Sequence, residues 1–171
     1  MNVTIRREVN IDTKSIRRVN RLAFGRDDEA RLVDALRDGG YARLSLVAEV
    51  GGDVVGHILF SDLPIVTGSG TVSSLALAPM AVVPELQRQG IGSRLVERGL
   101  SDCRAEGHRI VVVLGHSEFY PRFGFSEELA RPLLSPFSGP AWMALELVPG
   151  VLTGLMGRVS YPPPFGIASS R

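Results

Sequence analysis

The sequence has one cysteine, Cys103, among 171 residues. An intrachain disulfide is therefore excluded, and a reducing compartment, the cytoplasm, is the expected location. Net charge is nearly absent, since 19 basic against 18 acidic side chains leave +1. That balance offers no electrostatic footprint for nucleic acid or an acidic membrane surface. Long apolar runs are also missing. Nowhere do about eighteen uncharged apolar residues follow one another, which argues against a transmembrane helix. The N-terminal stretch is charged from Ile5-Arg6-Arg7 onward and lacks a signal-peptide core. No Cys/His spacing fits a metal site, so no metal is expected. Cys103 falls on the inward stripe of a helix, as a small hydrophobe rather than a nucleophile.

What remains is an ordinary globular composition, 44% hydrophobic and 22% charged, in a chain long enough for a proper core. No repeat or linker divides it, so one domain is expected over residues 1–171. Its core spans about 3–150, and a Pro-rich tail, 160–171, lies extended over the surface.

Val3, Ile5 and Val9 suggest a first short strand. Asp12 reads as an N-cap whose carboxylate accepts from the next turn, ahead of a helix with Ile16, Val19 and Ala23 on one face. Gly25 ends it, and Asp27, Asp28 and Glu29 open a second helix with acids in the first turn. From Leu44 the period changes to that of strands. Leu44–Val50 and Val54–Phe60 flank the hairpin turn Gly51-Gly52-Asp53. A third strand is expected from Thr71 to Val83, broken by Ala78-Pro79. A helix with Leu95, Val96, Leu100 and Cys103 inward follows, then the wholly apolar strand Ile110–Leu114. Trp142 to Val148 reads as a late strand. Hairpins combined with one crossover helix predict an α/β domain with a mixed, mostly antiparallel twisted sheet and helices on both faces.

The stretch from Leu75 to Cys103 joins strand, Gly90-Ile91-Gly92 and helix, an arrangement that offers backbone N–H groups to a phosphate. A glycine pair that merely satisfies a turn with positive φ is the plainer alternative. The dinucleotide fingerprint fails, because Leu95 stands where the third glycine belongs. No acid closes the strand after the helix either. No Gly-Lys-Ser/Thr exists for a nucleoside-triphosphate loop.

Gln87-Arg88-Gln89-Gly90-Ile91-Gly92 fits the pattern Q/R-x-x-G-x-G/A, and Tyr120-Pro121-Arg122-Phe123-Gly124-Phe125 follows the next strand. Together they resemble the acetyl-coenzyme-A loop and tyrosine segment of the GNAT superfamily of acyltransferases. Asp28-Glu29-Ala30-Arg31-Leu32-Val33, the Gly-His before the tyrosine segment and the closing Tyr161-Pro162 are similar to the predicted N-acetyltransferase group typified by the bacterial protein YhbS. The resemblance implies a GNAT-like fold and an N-acetyltransferase that moves an acetyl group from acetyl-CoA to a primary amine. It implies that N–H groups from about Arg88 to Arg94, Ser93 among them, wrap the pyrophosphate. It further implies that a backbone N–H at Val82 or Val83 polarises the thioester carbonyl, with pantetheine inserting where that strand splays from Ile110–Leu114. Tyr120 is implied as general acid to the thiolate. Arg88 and Arg94 are candidates for added charge near the phosphates. Glu29 and His116 are acceptor-side candidates, and His57, Asp62 and Glu85 are polar residues near predicted element ends. The acceptor is a small-molecule amine or an amine of a protein or peptide. A non-catalytic acyl-CoA-binding or regulatory domain is the alternative. The apolar run Trp142 to Val151 is either a homodimer surface or the last core strand.

Overall fold

Apolar residues at three- and four-residue steps put Ile16, Val19 and Asn20 on the buried side of α1 (Thr13–Phe24), which stops at Gly25 in the left-handed conformation (φ 71°). The same spacing buries Ala30, Val33 and Leu36 along α2 (Asp28–Asp38). The computed structural model describes residues 1–167. Its remaining elements are β1 (Val3–Arg7), β2 (Ala42–Val50), β3 (Asp53–Asp62), β4 (Ile65–Thr67), β5 (Gly70–Val72), β6 (Leu75–Val82), α3 (Ile91–Ala105), β7 (Ile110–Leu114), α4 (Glu127–Ala130), β8 (Leu133–Leu134), β9 (Trp142–Glu146) and β10 (Gly157–Val159).

The chain forms two compact units, one of Met1–Phe60 with Ala78–Ser101, the other of Ser61–Leu77 with the residues from Asp102 on. In the first unit the strand order is β1-β2-β3-β6. Strands β2 and β3 turn through Gly51 and Gly52, both at positive φ (59° and 84°), as a two-residue hairpin requires. Adjacent residues of β3 point to opposite faces. Gly56 faces α3, where a Cβ would stand 3.1–3.3 Å from Leu95, Ala48 and Ile91, and His57 meets Asn20 of α1 on the other side. Helices therefore cover both faces. Gly99 repeats the device within α3, lying so close over the Phe60 ring that a Cβ would stand 2.8 Å from its Cζ. These two glycines set how near α3 approaches the strands, and so where its N-terminus is held. Strand β1 is an edge whose outward carbonyls are not bare. Arg98 donates to Ile5 O (3.3 Å) and Arg6 donates to Arg7 O (2.9 Å), which blunts pairing with another chain.

In the second unit the start of β6 runs parallel to β7, with Leu75 opposite Val111 and Ala76 opposite Val112. On its far side β7 pairs antiparallel with β9 from Ile110↔Glu146 to Leu114↔Trp142. A small second sheet has the order β5-β4-β10-β8. Ile65, Leu133 and Val159 of this sheet pack with Leu63, Ala76, Ile110, Val112, Trp142 and Ala144 as one core.

The structure departs from sequence expectation at several points. The run from Thr71 to Val83 is two strands, because the chain leaves the small sheet at Ser73-Ser74, where the Ser74 hydroxyl donates to Leu63 O and Leu63 N–H donates back to Ser74 O. The Ala78-Pro79 peptide is cis. Asp12 stands at the N-cap but makes no cap bond. Its carboxylate turns backward instead, taking Nη1 and Nη2 of Arg6 (2.8 and 2.9 Å) and the N–H of Val9 (2.7 Å). The Arg6 pairing outweighs burial and lowers the Asp12 pKa. The described part of the C-terminal segment is not extended. Pro163–Phe165 form a 3-10 turn, and Tyr161 packs edge-on against Phe137 and Phe165. Residues 168–171 lie outside the described residues.

Of the three histidines His57 is the buried one, fully enclosed at 0% exposure. Asn20 Nδ2 gives one N–H to Ile16 O (3.0 Å) and lies 3.3 Å from His57 Nδ1, so Nδ1 accepts. Nε2 then carries the proton toward Ser45 Oγ at 2.9 Å. Burial, assisted by the charge of Arg37, lowers the His57 pKa to about 3. Below pH ~6.5 the unfolded chain binds a proton here that the folded chain refuses, so stability falls with pH by roughly 1.4 kcal/mol per unit from this group. Denaturant titrations at pH 7 and pH 4.5 are expected to show wild type losing about 2–3 kcal/mol more than His57→Gln. An equal loss in the two proteins would show that the imidazole takes its proton without unfolding.

Candidate functional site

The first unit carries a loop of unspent donors. Val83 N–H donates to Val55 O of β3 (2.9 Å), so it is committed to the sheet. Of the two N–H groups named from sequence, Val82's is the one turned away from β3, because successive peptide groups alternate along a strand. A 3-10 turn, Pro84–Leu86, follows, closed by Leu86 N–H to Val83 O and Gln87 N–H to Pro84 O. Side-chain amides then brace the loop from inside. Gln87 Nε2 donates to Val82 O (2.9 Å) and Gln89 Nε2 to Glu85 O (3.2 Å). The glutamines thus brace the loop with their side chains.

Arg88 and Gly90 both take positive φ (63° and 89°), a conformation that anion-binding nests use. Helix α3 begins at Ile91, and Arg94 N–H already closes the first helical bond, to Gly90 O (3.1 Å). The expected donor run ending at Arg94 therefore ends one residue earlier. Among the described residues, the N–H groups of Arg88, Gln89, Gly90, Ile91, Gly92 and Ser93 have no backbone acceptor. Those of Ile91, Gly92 and Ser93 are the orphan donors of a helix N-terminus, where the macrodipole is positive. A Cβ on Gly90 would meet nothing within 4 Å, so the space beside its Cα is open. Arg88 and Arg94 are exposed. Arg94 lines a groove of about 420 Å³ with Val3, Thr4, Ile5, Glu97 and Arg98, which puts its side chain on the β1 flank of α3.

Glu29, in the first turn of α2, is 8% exposed. Its carboxylate is already held by Arg26 Nε, at 2.6 and 3.1 Å to the two oxygens. Asp62 ends β3 and Glu85 lies in the 3-10 turn.

The second unit carries the tyrosine. Gly115 follows β7 and donates its N–H to Ala141 O (2.9 Å). The chain then tightens, with Phe119 and Tyr120 N–H groups both directed at His116 O (3.1 and 3.2 Å), into the 3-10 turn Tyr120–Phe123. Gly124 (φ 100°) releases it. The Tyr120 ring is 6% exposed, edge-on to Phe119 (4.9 Å between centroids) and to Phe125 (5.6 Å). Burial pushes the Tyr120 pKa up to about 12, so the phenol stays protonated near neutrality. Arg122 stacks on the Phe119 ring at 4.7 Å. His116 is exposed, and the structure places it beside Tyr120 only through its backbone oxygen. Sequence reasoning did not identify Gly115, although the Gly-His string containing it was visible. Among the described residues no group of three or more His, Cys, Asp or Glu could hold a metal, and no helix is long and apolar enough to cross a membrane.

A family model described as an acetyltransferase (GNAT) domain matches residues 4–127. The chain is 34% identical over 160 residues to the Escherichia coli K12 protein named uncharacterized N-acetyltransferase YhbS, covering 92% of this chain and 95% of that protein. It is 43% identical over 116 residues to the E. coli K12 protein named uncharacterized N-acetyltransferase YjhQ, where it spans 67% of this chain and 64% of the relative's length. The crystal structure of E. coli YhbS in complex with CoA superposes with a TM-score of 0.88 at 32% identity, over 99% of this chain and 94% of that one. A GNAT family acetyltransferase from Brucella melitensis in complex with acetyl-CoA gives a TM-score of 0.81 at 34% identity, over 96% and 98%.

Proposed function

Because the chain belongs to the GNAT family of acetyltransferases, we propose that it transfers an acetyl group from acetyl-CoA directly to a primary amine. The observation that carries this reading is the run of unpaired N–H groups from Arg88 to Ser93, fixed by braced glutamines in front of α3. Such a run suits the pyrophosphate of coenzyme A, which two solved relatives hold as CoA or acetyl-CoA.

Val82 N–H serves as the donor to the thioester oxygen, where charge develops as the amine attacks. The amine nitrogen bonds to the carbonyl carbon, the C–S bond breaks, and the electron pair leaves with sulphur. Tyr120 gives its hydroxyl proton to that sulphur and is reprotonated from solvent, while the ammonium proton of the new amide passes to water. His57 takes no part, because it is enclosed and held neutral. Glu29 and His116 serve the acceptor side. The acceptor is a small amine or an amine of a protein or peptide. A cytoplasmic location fits a buried Cys103 that forms no disulfide.

The test is release of free thiol from acetyl-CoA with a panel of small amines, amino acids and lysine peptides. Amine-dependent release supports transfer. Tight acetyl-CoA binding with no release by any amine would replace it with a non-catalytic acyl-CoA-binding domain. Buried Cys103 contributes little background to a thiol assay.

A further inference from the structure

The Tyr120 ring rests on bare backbone. A Cβ built on Gly115 would stand 2.8 Å from Tyr120 Cδ2 and closer still to Cε2. Ordinary carbon contacts lie at about 3.5–4.0 Å, so no side chain fits there unless the ring moves. Gly115 cannot easily yield in its place, because its N–H is bonded to Ala141 O, next to Trp142 at the start of β9. On its other edges the ring meets Phe119 and Phe125, each at a near-perpendicular angle (81° and 77°). Phe119 is itself backed by Phe123 at 5.1 Å. The φ of Gly115 is not in the left-handed region, so backbone freedom does not explain a glycine at this position. Space for the ring does.

We propose that Gly115 is a positioning residue for acetyl transfer: its missing side chain forms the floor of a seat, walled by Phe119 and Phe125, that fixes where the Tyr120 hydroxyl is presented. The inference rests on the reading of Tyr120 as proton donor. A methyl group at 115 tilts the ring and carries the hydroxyl, at its far end, the greatest distance. Misplacement of a reacting group by about 1 Å costs on the order of 100-fold in rate.

The test is a double-mutant cycle of Gly115→Ala with Tyr120→Phe, read by kcat, by KM for acetyl-CoA and by thermal stability. Gly115→Ala alone is expected to lower kcat about 10–100-fold with KM within about twofold. In the Tyr120→Phe background it should change kcat less than about twofold, since no hydroxyl remains to be misplaced. The stability loss should be the same in both backgrounds, because a phenylalanine ring meets the new methyl as a tyrosine ring does. A merely structural glycine would instead give additive losses in kcat, which overturns the inference while leaving Tyr120 as the donor. A fully active Tyr120→Phe would remove the donor itself and the inference with it. Should Gly115→Ala fail to fold, Phe119→Leu loosens a wall of the same seat. Loss of kcat that disappears in the Tyr120→Phe background supports the seat, and loss that persists there overturns it.

Discussion

Replacing Tyr120 with phenylalanine is expected to lower kcat for acetyl transfer by about 100-fold or more, the range of general acid catalysis, with the affinity for acetyl-CoA nearly unchanged. The substitution removes one oxygen and leaves the ring contacts with Gly115, Phe119 and Phe125 intact, so folding should be retained. Burial makes the phenol a weak acid, with a pKa of about 12. Complete proton transfer to a thiolate of ordinary basicity, pKa ~8.5, would run uphill by roughly 5 kcal/mol. Two things reduce that cost. A thiolate desolvated beside the same ring becomes more basic for the same reason, and a hydrogen bond donated while charge develops stabilises sulphur before transfer is complete.

The raised pKa has a definite pH consequence. Tyr120 keeps its proton from neutrality to about pH 11, so any alkaline loss of kcat below that pH has another source and should appear unchanged in Tyr120→Phe. Steady-state rates for both proteins between pH 6 and 10 check this. A Tyr120→Phe enzyme with wild-type turnover would take the tyrosine out of the mechanism.

Gly90→Val should raise the dissociation constant for acetyl-CoA about 100-fold. An added Cβ meets nothing within 4 Å beyond its chain neighbours, so the main cost within the protein is that of a β-branched residue at φ 89°, of order 1–3 kcal/mol. The affinity loss arises elsewhere. A valine at 90 is expected to keep a phosphate from approaching the backbone closely, and losing two charge-assisted hydrogen bonds, each about 1.5–3 kcal/mol, is enough for the predicted change. Gly107 provides the control. It closes α3 at φ 87° with equally open surroundings, so Gly107→Val should cost comparable stability and leave acetyl-CoA binding alone. Equal affinity in Gly90→Val and wild type would mean that the loop does not hold phosphate.

What could be read from sequence was whatever a single period or motif encodes. The stripes of α1, α2 and α3, the hairpin at Gly51-Gly52 and the apolar β7 lie where their patterns put them. The loop at Gly90 was legible because glycine, polar residues and a helix start coincide there. The second sheet was not, since strands of two or three residues such as Leu133–Leu134 and Gly157–Val159 are too short to show a period and exist through partners distant in sequence. Asp12 misled because an acid before a helix is the usual cap, and only the fold brings Arg6 against it. His57 read from sequence only as a polar residue near an element end. Its neutrality depends on Asn20 and Ser45, which no local pattern connects. Gly115 was hidden for a related reason, since its role is a distance to a ring five residues later.

The most direct measurement is isothermal titration of the protein with acetyl-CoA and, separately, with acetyl-pantetheine, which lacks the pyrophosphate. The N–H cradle from Arg88 to Ser93 predicts one-site binding of acetyl-CoA, with acetyl-pantetheine weaker by about 100-fold or more. No heat with acetyl-CoA, or equal affinity for the two, would contradict it.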